Sequence, residues 1–144
     1  MSEAATLLPT TRDEDWRYAE PAALAVLSAP ELDAWDDIVV PAGESVIREV
    51  VLDAGHAGVQ RMRLTLNAGA RAAIFAIASA DSYTRLEVEV TLGDGAHFEF
   101  GGVTIGGGEH VREFVTRCIH AEPNATSNQV VRAVHWGRAT GNFL

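Results

Sequence analysis

The chain of 144 residues, 47% hydrophobic and 22% charged, is long enough to bury one sizeable core, and its composition is that of a globular domain rather than a disordered segment. Its formal net charge of −9, with only 11 Lys and Arg scattered along it, excludes a nucleic-acid role, because phosphate binding depends on basic side chains that release counterions. A single cysteine, Cys118, excludes an internal disulfide and an all-cysteine cage for zinc or a cluster.

The segment from Met1 to Pro9 carries Glu3 and lacks a basic start followed by an apolar run, so no secretory signal is read there and a cytoplasmic location is expected. The longest apolar run, Ala72 to Ala78, is far shorter than the roughly 20 residues of a membrane-spanning helix. Asn124-Ala125-Thr126 is a formal glycosylation sequon that means nothing without a secretory route.

Thr11 or Asp13 can cap a short helix through Tyr18, with Asp13, Glu14 and Asp15 at the positive end of its dipole. Pro21 can open a second helix in which Leu24 and Leu27 share a face, and Pro30 should stop it. Trp16 and Tyr18 read as an apolar anchor pinning this helical arm, residues 1–36, to the body in 37–144.

From Asp37 the pattern changes to strands. Eight are predicted: Ile38 to Val40, Val46 to Leu52, Val59 to Leu66, Ala72 to Ala78, Tyr83 to Leu92, Phe98 to Ile105, Val111 to Ile119 and Val130 to Trp136. In the fifth, Leu86, Val88, Val90 and Leu92 alternate with Arg85, Glu87, Glu89 and Thr91, the period of a strand with one face buried and one polar. Turns recur at Leu52-Asp53-Ala54-Gly55, at Leu66 to Arg71 and at Leu92 to His97, each with a glycine able to take positive φ, and the last two align as an internal repeat. Strands with repeated glycine corners and no crossover helix fit either a β-sandwich or a parallel β-helix.

No glycine run has the form of a phosphate loop: Gly106-Gly107-Gly108 lacks a following Lys-Ser/Thr, and Gly93-Asp94-Gly95 does not open a helix. His97 and Glu99 share the polar face of one strand, as metal ligands of a cupin-type barrel would, but a solvated strand face is the plainer reading. Cys118 and His120 also share a face and could touch one iron or zinc, yet two ligands do not close a site. No metal ligand, cofactor-binding residue or catalytic residue is assigned, and no enzyme activity is expected.

His120, Pro123, Ser127 and Gln129, followed by the apolar Val130, Val131, Val134 and Trp136 and then by Gly141-Asn142-Phe143, resemble the core of the SufB/SufD family of iron–sulfur cluster assembly scaffolds. The run from Arg12 to Tyr18 is similar to the Glu/Asp–Trp–Lys/Arg–Tyr signature near the start of SufD-like members, with Ala19 in place of their common Thr, and Arg85 to Phe100 resembles the family's strand–Gly–strand segment.

That resemblance implies a mainly β fold, a right-handed parallel β-helix with a short N-terminal helical arm, in which Trp16, Tyr18, His120, Pro123, Ser127, Gln129 and Phe143 are structural motif positions. His120 and its neighbours are expected to fix a corner by local hydrogen bonds. It further implies a non-catalytic scaffold in a SufBCD-type complex, beside a SufB-like homologue and a SufC-like ATPase, with the iron–sulfur cluster handled by the complex and none bound by this chain alone. Family members continue past Leu144 into further strands and an ATPase-docking domain, so the β-helix is expected to be truncated there, with an open end that self-associates or is covered by the homologue. The alternatives kept open are a cupin-like metal- or ligand-binding barrel and an inactive β-solenoid fragment.

Overall fold

A computed structural model describes residues 8–53 and 58–144. The arm comprises a 3-10 turn at Glu14–Trp16 and two short helices, α1 (Pro21–Leu24) and α2 (Ala29–Asp33). Pro30 does not stop a helix as expected. It lies in the first turn of α2, where its missing N–H costs nothing, while Ser28 and Glu31 form a reciprocal capping box.

Among the described residues nine strands follow: β1 (Trp35–Val40), β2 (Ser45–Leu52), β3 (Gly58–Leu66), β4 (Arg71–Ala78), β5 (Thr84–Leu92), β6 (His97–Gly106), β7 (Val111–His120), β8 (Thr126–His135) and β9 (Thr140–Phe143). The odd strands form a five-stranded sheet in the order β1-β3-β5-β7-β9, and the even strands a four-stranded sheet in the order β2-β4-β6-β8. All the pairings are parallel, so the chain winds as a β-solenoid of about four turns, one strand per sheet in each rung. This removes the cupin alternative, whose jelly-roll barrel is built from antiparallel strands.

Parallel register repeats each lumen position from rung to rung. Ile38, Leu64 and Val90 form one inward column, Val40, Leu66 and Leu92 another, and Ile74 and Phe100 face them from the second sheet. Phe114 enters this core because Gly102 leaves it room: a Cβ on Gly102 would come within 2.7 Å of the Phe114 ring. Phe114 meets Phe100 edge-on at 5.4 Å, and Phe143 of β9, level with Phe114, stacks on Phe100 at 6.4 Å.

The recurring corners also stack. Gly43, Gly69 and Gly95 have φ of 72, 68 and 65, and each donates its N–H to the next rung's corner, to Ala68, Asp94 and Pro123 carbonyls respectively. The aligned repeat is therefore physical. The predicted turn at Leu52 to Gly55 lies partly outside the described residues. In the next corner Asn124, with φ 64, occupies the position of the glycines and donates its side-chain amide to Asp94 Oδ1 at 3.3 Å. Asn is the residue best able to take that conformation without being glycine. Replacing Asn124 with Gly should leave stability nearly unchanged and replacing it with Val should cost about 1–2 kcal/mol in urea unfolding; an equal loss in both would show that the amide bond to Asp94, not the backbone, is what matters.

Candidate functional site

In the rung formed by β7 and β8 the lumen turns polar. Thr116, Cys118 and His120 stand on β7 directly above Val88, Val90 and Leu92, and Ser127 and Gln129 stand on β8 above Phe98 and Phe100. These groups satisfy one another. Thr116 Oγ1 donates to Gln129 Oε1, Gln129 Nε2 donates to Cys118 Sγ at 3.3 Å, and His120 Nε2 lies 3.3 Å from Ser127 Oγ. Burial pushes the Cys118 thiol above its ordinary range, and the hydrogen bonds from Ser127 and Gln129, which favour the thiolate, do not undo that. The thiol is protonated at neutral pH and is a weak nucleophile.

Pro123 stands in the five-residue corner 121–125, one residue longer than the corner 93–96 below it. Its carbonyl accepts from Gly95 N at 3.2 Å, while Ala121 N and Thr126 N donate to Leu92 and Ala96 carbonyls at 3.2 and 3.0 Å. Ala125 then packs against the core above the buried Ala70 and Ala96. The structure thus brings His120 to Ser127 and Gln129 to Cys118, with Pro123 at the turn between them. Phe143 belongs to the aromatic stack on Phe100.

His97 has Nε2 3.1 Å from Glu99 Oε1 and Nδ1 2.6 Å from Thr126 Oγ1, side-chain contacts on the outer face of a strand. Among the described residues, no three of His, Cys, Asp and Glu gather closely enough to hold a metal ion.

Of the two N-terminal aromatics, Trp16 is the anchor and Tyr18 is not. Trp16 is buried against the outer face of the five-stranded sheet with Leu24, Leu27, Leu32 and Tyr83, whereas Tyr18 is 54% exposed. Beneath this roof lies a network that the alternation of β5 had assigned to a polar face. Arg85 is fully buried, its guanidinium 3.7 Å from the centroid of the Trp16 ring. It donates to Glu87 Oε1 at 2.9 and 2.7 Å and to Glu113 Oε1 at 3.0 Å. Arg61 reaches Glu87 Oε2 at 2.5 Å and the Leu32 carbonyl at 2.6 Å, and Tyr83 donates to Glu113 Oε1 at 2.5 Å.

The Arg85 guanidinium is pulled down by burial, but Glu87 and Glu113 outweigh that and hold its pKa above the ordinary value. The Tyr83 hydroxyl is held protonated by burial and then by the Glu113 charge. No local signal marked Arg85, Glu87 or Glu113 as buried, because the face they occupy is covered by a segment more than fifty residues away in sequence.

A family model described as SUF system FeS cluster assembly, SufBD core domain, matches residues 46–144. The match spans all strands from β2 to β9, and the chain belongs to the SufBD family, which gives it a role in iron–sulfur cluster assembly. No curated protein and no solved structure gives a significant match. Among the described residues no helix is long and apolar enough to cross a membrane.

Three expected outcomes follow from these geometries. Glu113→Gln, which leaves Arg61 and the buried Arg85 sharing the single carboxylate of Glu87, should destabilise the protein by about 3 kcal/mol in denaturant unfolding. His120→Ala, at an exposed 3.3 Å contact, should cost only about 0.5–1.5 kcal/mol. Alkylation of Cys118 by iodoacetamide should be several-fold slower than that of free cysteine at pH 8 and accelerate as pH rises; a rate equal to that of free cysteine would contradict the half-buried, protonated thiol.

Proposed function

We propose that this chain is a SufD-like, non-catalytic scaffold subunit of iron–sulfur cluster assembly. It works beside a SufB-like homologue in a SufBCD-type complex and is coupled through that complex to a SufC-like ATPase. The cluster is the cargo of the complex, and no resident cofactor is assigned to this chain. The observation that carries this reading is the SufBD core match over residues 46–144 on a parallel solenoid. The polar rung supports it: the one thiol is tied into hydrogen bonds within the lumen, and Thr116, Gln129, Ser127 and His120 are engaged in bracing one another rather than aimed at a common empty point.

A scaffold of this kind is expected to act through its partners. The chain purified alone under anaerobic conditions should show no iron–sulfur absorption and no stoichiometric acid-labile sulfide, with Cys118→Ser unchanged. Co-expressed with SufB-like and SufC-like proteins, it should co-purify with the SufB-like subunit. A stable cluster on the isolated chain, or failure to retain the SufB-like subunit, would overturn the proposal.

A further inference from the structure

The two faces of the solenoid are finished differently. The arm roofs the outer face of the five-stranded sheet, whereas among the described residues nothing covers the outer face of the four-stranded one. There Ile47, Val51, Phe75, Ile77, Val130 and Val134 are each between 45% and 65% exposed. Gly101 sits between Phe75 and Val130 in the same cross-strand row, and with no side chain of its own it leaves a shallow apolar groove over which the Phe75 ring leans, 3.0 Å from where a Cβ would stand. A contiguous apolar surface of this kind marks an interaction site.

The charges on this face select the occupant. Glu49 lies on β2, Arg71 on β4, Glu99 on β6 and Arg132 on β8, so the sign alternates strand by strand across the sheet. Among the described residues Glu49, Arg71 and Arg132 form no ion pair within the chain; Glu99 meets only His97. Consider a second copy related by a two-fold axis that runs along the strands between β4 and β6. Its β8 then lies over β2 and its β6 over β4. Glu49 faces Arg132 of the second copy, and Arg71 faces Glu99.

In both cases the partners are one outward position apart, because Glu49 is level with Val130 and Arg71 with His97. That step is about 7 Å, within the reach of arginine against a carboxylate. With the axis turned across the strands instead, β2 would lie on β2 and β8 on β8, which opposes like charges. Either axis keeps the strands of the two sheets aligned, as stacked sheets prefer, so the charges select between them.

We propose that the outer face of the four-stranded sheet is an isologous interface between two copies of this chain, packed with their strands parallel. Four strands about 4.8 Å apart and about eight residues long make a face of roughly 500 Å². A standard interface buries about 800 Å² per partner, so the dimer is reversible and dissociates on dilution.

Sedimentation equilibrium of the full chain across a wide concentration series tests this. The wild type should shift from monomer to dimer, E49R and R132E should each weaken the dimer by about tenfold by setting like charges opposite one another, and the E49R/R132E double variant should recover it. I77D, an outward position, should abolish the dimer, with circular dichroism confirming that each variant is folded. The proposal is overturned if the wild type stays monomeric throughout, if the single reversals leave the association unchanged, or if the folded double variant fails to recover it. Association with a SufB-like subunit is read separately by co-purification, so either result there leaves this test intact.

Discussion

In-register parallel stacking is the constraint from which the rest of this structure follows. Because Arg61 sits beside Glu87 and His97 beside Thr126, each side chain is surrounded by the residues one rung below and above it, 26 to 29 positions away. Columns must therefore be compatible in size and polarity along their whole length. Leu64 and Val90 can stack indefinitely, but Cys118 above them changes the solvation of the column and has to find partners within its own rung. Gln129 meets that need from the opposite sheet, with one end toward Thr116 and the other toward Cys118. The polar rung is a closed set because the register gives its members no other neighbours to bond.

The same constraint governs the corners. A strand can follow another in register only if the chain turns at the same height each time, and the left-handed conformation at Gly43, Gly69, Gly95 and Asn124 accomplishes this. Rung length is adjusted both in the Asn124 corner, which has one extra residue, and on the opposite side, between β6 and β7. The repeat lengthens from 26 residues between Arg61 and Glu87 to 28 between Arg85 and Glu113, and the two added residues fall within 105–111, the glycine-rich end of β6, its corner and the first residue of β7.

Much of this was legible in the sequence because it is local. Alternation exposed the strand interiors, and the paired segments Leu66 to Arg71 and Leu92 to His97 exposed the repeat. The failures share a cause. β8 starts at Thr126, four residues before the apolar run, because Ser127 and Gln129 face inward and a polar lumen residue looks like a turn. β9 was missed because Gly141 and Asn142 carry no strand pattern, and its pairing with β7 is what holds it. Pro30 was read as an end when the capping box of Ser28 and Glu31 makes it a beginning. Arg85 and Glu87 were assigned to a polar face, and Glu113 was not singled out, because alternation reports which residues face the lumen and says nothing about a roof laid over the other face.

That roof shows why charges rather than aliphatic side chains lie under the arm. An apolar layer between arm and sheet would bury well but would fix neither position nor angle, since apolar contact is not directional. The network is balanced, with Arg61 and Arg85 against Glu87 and Glu113, and its bonds are directional. Arg61 spans the boundary, with one nitrogen on the Glu87 carboxylate of the sheet and another on the Leu32 carbonyl of α2, while Trp16 covers the Arg85 guanidinium. Displacing the arm by one residue would break the Arg61 bond to the Leu32 carbonyl and take the Trp16 ring off the Arg85 guanidinium, while the ion pairs, all within the sheet, would stay formed but lose their cover. The ionic layer therefore sets where the arm sits, and the apolar residues around it keep water out. Glu87 and Glu113 lie within the SufBD core match while Trp16 and Leu32 lie before it, so the arm is registered on the family core by side chains that the core itself supplies.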